Sequence, residues 1–221
     1  MVKRINLMLG GPKELLPDNW QDAPGEWGAA DRGSLFLLEH GIKPVFAVGD
    51  YDSLTSAEHE RVTTALTDLR TYPPEKDFTD TQVCVLRALN DFAADEIVLY
   101  AATGGRMDHL LSNLLLATED RFRAAHLRMV DRTNDILFLQ PGVHQVQAQA
   151  AYRYLGVVPL TAIEDLNISG AKYPLAHWNS PVPFSWASNE FLPDQDVTIC
   201  FASGTVALVY SRDLRGQKQD N

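Results

Sequence analysis

Residues 96–116 read EIVLYAATGGRMDHLLSNLLL. An apolar run of strand length, Glu96 to Ala102, meets Gly104-Gly105, and leucines then follow at 110, 111, 114 and 115, the spacing of a helix face. A buried strand feeding a helix through a tight glycine turn is the repeating unit of a parallel sheet, whose strands need a crossover helix to return. The predicted helix spans about Arg106 to Thr118, with its four leucines expected in the core. Upstream the same alternation repeats: strands at Ile5–Leu9, Pro44–Val48 and 69–72, and helices at Ala30–His40, Ser56–Leu69 and Thr79–Ala93. Leu127–Val130 adds another strand. A mainly parallel sheet covered on both faces is expected for this part.

From about Asp135 the texture changes. ILFLQPG, HQVQAQA, YRYLGVVPL, DVTICFA and GTVALVYS are short strand candidates separated by Gly, Pro and polar turns, with no long helix among them. That pattern predicts an all-β sandwich or partial barrel. The boundary is expected near residue 140, giving an α/β domain over 1–140 and a β domain over 141–221.

The chain of 221 residues carries a formal net charge of −10, with its Lys and Arg scattered, which argues against nucleic acid as a partner. Phosphate ligands that arrive with a metal remain compatible. The two cysteines, Cys84 and Cys200, are far apart and offer neither a disulfide scaffold nor zinc spacing. No apolar run approaches membrane-span length and the start has no signal-peptide layout, so a cytoplasmic location and no membrane partner are expected.

Three stretches carry chemistry. In FAVGDYDSL (46–54) a buried strand ends at Gly49, and Asp50 and Asp52 follow at alternate positions. In extended chain both carboxylates would face one crevice beyond a strand end, where hard oxygen ligands suit Mg²⁺. An Asx turn is the alternative. In YPPEKDFTDTQ (72–82), Thr79 and Gln82 satisfy a capping box, but that leaves Glu75, Lys76 and Asp77 without a helix-start role. Asp77 and Asp80 flank the helix start, where a divalent cation would relieve their repulsion and Lys76 would meet a phosphate. In ATGGRMDH, the two glycines allow close backbone approach, the helix start favours an anion and Arg106 can fork onto phosphate oxygens. Arg106 and Asn113, seven residues apart, are expected on one helix face, with His109 and Asn113 stacked at i, i+4.

GGPKELL near residue 10 also follows a strand, but is neither a dinucleotide fingerprint nor a Walker loop, so it counts as weak. Asp31 in ADRG reads equally well as a helix N-cap. In the β region GAKYPL (170–175) and WASNEF (186–191) offer aromatics with Ser and Asn, and turn chemistry suffices to explain them.

Together these stretches resemble the thiamine pyrophosphokinase family. GDYDSL is similar to its GDFDS element, EKDFTDTQ to EKDxTD, ATGGRMDHLLSN to GGRxDHxxxN, and GAKYPL and SNEF to its GLKYPL and SNEF pieces, in the family's order across nearly the whole chain. The resemblance implies transfer of the terminal diphosphate of ATP to the hydroxyethyl oxygen of thiamine. It implies a Rossmann-like three-layer α/β/α domain that binds ATP and Mg²⁺, then a β-sandwich for thiamine and dimerisation. By motif, Asp50, Asp52, Asp77 and Asp80 would be catalytic and hold Mg²⁺. Lys76, Thr79, Gly105, Arg106, Asp108, His109 and Asn113 would serve ATP, and Asp31, Ser188, Asn189 and Phe191 would serve thiamine. A homodimer with its active site near the subunit interface is implied. Two positions depart from the pattern: Arg32 replaces a glycine, and Trp186 stands where a smaller residue is usual. Two alternatives are a Mg²⁺-dependent phosphatase of the haloacid dehalogenase type, which would make Asp50 a nucleophile but whose first-strand position and DGT-like continuation are missing, and a non-catalytic thiamine or nucleotide sensor.

Overall fold

The expected alternation forms a parallel sheet of six strands in the computed structural model, which describes residues 2–52, 54–71, 78–123, 125–186 and 188–214. The strands are β1 (Arg4–Met8), β2 (Glu26–Ala30), β3 (Phe46–Gly49), β4 (Leu69–Thr71), β5 (Glu96–Tyr100) and β6 (His126–Val130). Their order is β6-β5-β1-β2-β3-β4, all parallel. From β1 the chain winds outward to β4, then returns to lay β5 on the other flank of β1 and β6 beyond it. The winding reverses between β1 and β5.

Alternate side chains of these strands face opposite layers. Met8, Trp27, Ala29, Ala47, Val98 and Tyr100 share one core with Leu35 and Leu37 of α1 (Arg32–Glu39) and Val62 of α2 (Ser56–Ala65). Across the sheet Phe46 packs on Phe92, and Arg87 of α3 (Asp80–Asn90) lies over its ring at 4.7 Å. Arg87 is buried, and Asp68 and Asp91 on its guanidinium supply the opposite charge that burial requires. Gly28 is needed beneath Phe46, since a Cβ there would lie 2.5 Å from its Cζ.

Helix α2 ends at Ala65, short of the expected Leu69, which opens β4, and two further expectations need correction. Helix α1 begins at Arg32, two residues later than expected, because Ala30 ends β2. Sequence reading missed that strand: EWGAA has a central glycine, two alanines and no β-branched residue to signal it. The second concerns α4 (Met107–Leu115), where Leu111 and Leu115 are about half exposed and Leu110 and Leu114 only partly buried, so none of the four is a fully buried core residue.

The contacts divide the chain into two compact units, the first running to Leu116 and taking back the segment through Arg132. The second starts its main body at Thr133, because β7 (Asn134–Leu139) pairs along its whole length with β14 (Val206–Ser211). In this unit β12 (Asn189–Glu190), β9 (Tyr154–Pro159), β14 and β7 pair antiparallel in that order. A second antiparallel sheet orders β11 (Leu175–Ser180), β10 (Ile163–Ser169), β13 (Val197–Phe201) and β8 (Gly142–Val146). Leu155, Val157 and Leu208 from one sheet share a single core with Ile163, Leu166, Ile199 and Phe201 from the other. The whole is a mixed α/β protein with large sheets.

Candidate active site

Of the sequence-predicted acids, Asp31, Asp50, Asp52 and Asp80 stand at the carboxyl ends of β2 and β3 and at the start of α3. Asp31, directly after β2, has φ 44 and occupies the N-cap position of α1, but its carboxylate makes no cap hydrogen bond. Instead Ser34 Oγ donates to the Asp31 carbonyl at 2.6 Å. Gly49 gives the Asp31 side chain its room: a Cβ on Gly49 would lie 2.0 Å from Asp31 Oδ1.

Beyond β3 the chain turns where extended backbone was expected. Tyr51 has φ 57, Leu54 N–H donates to the Tyr51 carbonyl, and Asp52 N–H donates to Asp50 Oδ1 at 3.1 Å. The Asx turn is therefore present, with Asp50 half-buried and Asp52 exposed. Tyr51 is a participant that sequence reading passed over. Its ring is buried, and burial first, then Cys84, Asp31 and Asp80, push its phenol above the usual range. One buried phenol thus has both Asp31 and Asp80 as electrostatic neighbours.

Asp80 opens α3, and its cap is the expected one: Gln82 N–H donates to Thr79 Oγ1, and Thr79 N–H donates to Gln82 Oε1 at 2.9 Å. The cap thus uses Gln82 and not Asp80. Glu75, Lys76 and Asp77 lie outside the described residues. Among the described residues no group of three metal-type ligands is gathered. The donors present, all carboxylate oxygens, are of the kind a hard cation such as Mg²⁺ takes.

The other half of the edge carries cations. After β5, Gly104 and Gly105 adopt φ 74 and 65, open to glycine and strained for other residues. They pack on the loop after β1: a Cβ on Gly104 would lie 2.4 Å from Leu15 Cδ1, and one on Gly105 3.3 Å from Pro12. Gly11 in turn donates its N–H to the Ala101 carbonyl, and a Cβ there would lie 2.2 Å from that oxygen. The loop read as weak evidence is thus pressed against the GGR turn.

Arg106 is the N-cap residue of α4, outside the helix, so it does not share a face with Asn113. It is exposed and forks onto Asp108, Nε to Oδ1 at 3.1 Å and a terminal nitrogen to Oδ2 at 2.5 Å. Asp108, whose carboxyl is held below its usual range chiefly by that hydrogen bond, also accepts from the His109 amide. Asn113 is buried and donates to the Ala102 carbonyl at 3.0 Å, tying α4 to the end of β5. Buried Thr103 similarly donates to buried Asp131 at 2.7 Å, joining the ends of β5 and β6. Lys13, in a single helical turn Lys13–Leu15, donates to the Leu9 carbonyl and lies 5.3 Å from the Phe36 ring centroid. Burial lowers its pKa to about 8, with only its chain neighbour Glu14 opposing.

In the second unit the two singled-out stretches meet. Asn189 is buried, and its amide clamps Tyr173, accepting from the Tyr173 N–H at 2.9 Å and donating to its carbonyl at 2.8 Å. Lys172 reaches Glu190 at 2.9 Å, and Phe191 bridges Ala171 and stacks on Tyr210. Ser188 is exposed. Trp186 joins Trp178 and Phe184 in an aromatic trio with centroids 4.5–5.2 Å apart.

Residues 18–129 match the family model for the thiamin pyrophosphokinase catalytic domain, and 143–206 match that for the thiamin pyrophosphokinase vitamin B1 binding domain. The chain is 34% identical over 216 residues to the thiamine pyrophosphokinase of Bacillus subtilis, covering 96% of this chain and all of that one. A solved thiamin pyrophosphokinase family protein from Enterococcus faecalis is 37% identical, with a TM-score of 0.89 over 96% of this chain and all of that one. The thiamin pyrophosphokinase of Candida albicans, at 17% identity, shares the fold with a TM-score of 0.74 over 95% of this chain and 90% of its own.

Proposed function

The chain belongs to the thiamin pyrophosphokinase family, whose members are thiamine diphosphokinases, and on that premise we propose that it transfers the terminal diphosphate of ATP to the hydroxyethyl oxygen of thiamine, with Mg²⁺, giving thiamine diphosphate and AMP. The observation that carries the reading is the sorting of charge along the carboxyl edge of the parallel sheet. Asp31, Asp50, Asp52 and Asp80 stand beyond β2 and β3 and at the start of α3, while Lys13 and Arg106, the latter forked onto Asp108, stand beyond β1 and β5. A polyphosphate carried partly by a metal suits such an edge.

In this reading the first unit is a Rossmann-like three-layer α/β/α domain for ATP, Mg²⁺ and catalysis. The second is a β-sandwich for thiamine and dimerisation. Asp50, Asp52 and Asp80, with Asp77, hold Mg²⁺. The metal, when bound, offsets phosphate charge and polarises the phosphoryl oxygens. The thiamine oxygen attacks the β-phosphorus, the bond from that phosphorus to the bridging oxygen of AMP breaks, and the hydroxyl proton passes to a carboxylate, Asp80 or Asp77. Positioning and charge neutralisation supply most of the acceleration in such a transfer. Lys76 and Arg106 face the phosphates, Arg106 exchanging Asp108 for the ligand. Thr79, Gly105, Asp108, His109 and Asn113 shape the ATP side, Asn113 and Gly105 through backbone they hold in place. Ser188, Phe191, Asp31 and Asn189 serve thiamine, Asn189 by fixing Tyr173. The working form is a cytoplasmic homodimer with the site near its interface. No helix among the described residues is long and apolar enough to cross a membrane.

Incubation with ATP, Mg²⁺ and thiamine tests this: thiamine-dependent AMP in equal amount to thiamine diphosphate is expected. Inorganic phosphate without AMP would indicate a phosphatase, and binding without turnover a sensor.

A further inference from the structure

The winding of the parallel sheet reverses between β1 and β5, and in open α/β sheets the crevice beyond the carboxyl ends at such a reversal is the ligand site. Two loops border that crevice, Gly10–Lys13 after β1 and Thr103–Arg106 after β5. They are pressed together: a Cβ on Gly11 would lie 2.2 Å from the Ala101 carbonyl oxygen and one on Gly104 2.4 Å from Leu15 Cδ1, while one on Gly105 would lie 3.3 Å from Pro12. Each loop delivers one cation, and the two differ in what neutralises them. Arg106 is solvated and forked onto Asp108. Lys13 is only partly exposed, and its ammonium, which has three N–H donors, is given one carbonyl, Leu9, and the face of Phe36. Among the described residues no carboxylate lies within ion-pair distance of it, and Glu14 beside it is exposed.

A desolvated cation without an opposite charge destabilises the free protein unless a ligand supplies that charge. We propose that Lys13 binds a phosphate of the nucleotide substrate at the reversal between β1 and β5, the ligand providing the counter-charge that the fold withholds. This rests on the nucleotide-dependent reading above. The Leu9 carbonyl and the Phe36 ring hold the ammonium in place, so little ordering remains to be done when the anion arrives.

The test uses the full chain, a non-hydrolysable ATP analogue with Mg²⁺, and the variants Lys13→Met and Lys13→Arg. Calorimetry should show binding weakened about tenfold or more in K13M, the loss of one charge-assisted hydrogen bond, with K13R much closer to wild type. The melting temperature of K13M without nucleotide should be no lower than wild type. Wild-type affinity in K13M would overturn the proposal. So would a K13M protein that melts earlier or fails to fold, since Lys13 would then be a structural tether to Leu9. Because the binding assay needs no thiamine, its result is separable from the reaction assigned above. A protein that binds the analogue through Lys13 yet makes no AMP with thiamine refutes the activity alone. One that makes AMP while K13M binds normally refutes the Lys13 site alone.

Discussion

The two halves of the carboxyl edge of the parallel sheet handle charge in opposite ways. Beyond β2 and at the start of α3, Asp31 and Asp80 both act on the buried phenol of Tyr51, with Asp50 and Asp52 in the turn around it. Beyond β1 and β5, two glycine loops interlock and present Lys13 and Arg106. Carboxylates at a strand edge suit a hard cation, and a desolvated lysine suits an anion. On the proposed reading, a metal-bound polyphosphate lying across the edge would satisfy both at once.

If that division is real, the acid half should govern turnover and the cation half affinity. The largest expected effect is on Asp80→Asn and Asp77→Asn, each losing roughly 100-fold or more in kcat with an unchanged melting curve. A D80N enzyme changed only in its KM for ATP would break the comparison. Gly49→Ala comes next. The backbone there tolerates alanine, but the new Cβ must displace the Asp31 carboxylate, so kcat/KM for thiamine should fall by about tenfold, a shift of an ångström being enough. Unaltered kinetics in G49A would remove Asp31 from the site. On the cation side Asp108→Ala frees Arg106 from its fork and should alter KM for ATP by a few-fold, the pair being exposed and its charge screened. Thr79→Ala removes one partner of the capping box and should cost about 1 kcal/mol in denaturant unfolding.

A further effect concerns pH. The Lys13 pKa is about 8 in the folded protein against 10.5 for the free side chain. Between those values the unfolded chain holds the proton that the folded chain has released, so stability should rise as pH climbs from about 8 toward 10.5. K13M should lack that rise when melting temperatures are compared across the range.

How far this site could be read in advance varies residue by residue. The capping box at Thr79 and Gln82 was legible because a cap is a matter of four consecutive residues, and those residues form it. The Asp50–Asp52 pair left two readings open, and the local one, an Asx turn, is present; whether a metal also sits there depends on neighbours a short window does not contain. The shared face of Arg106 and Asn113 was wrong because the helix starts one residue after Arg106, a boundary that periodicity does not fix. Leu111 and Leu115 have core spacing and lie half exposed, since spacing selects a face and the surroundings decide whether anything covers it. The GGPK loop was undervalued for a similar reason. Its worth comes from standing next to β5, and strand order is invisible in the loop itself.

The sequence by itself determined the alternation of strand and helix, the change of texture before the second unit, the helix cap and the family, because each is written in neighbouring residues or in motif order. The tertiary structure alone decided which strand ends stand side by side, that the winding reverses between β1 and β5, that Tyr51 is buried with Asp31 and Asp80 acting on it, and that Lys13 has no carboxylate at ion-pair distance among the described residues. Those are properties of residues far apart in the chain, and only folding sets the distances on which electrostatics and desolvation depend.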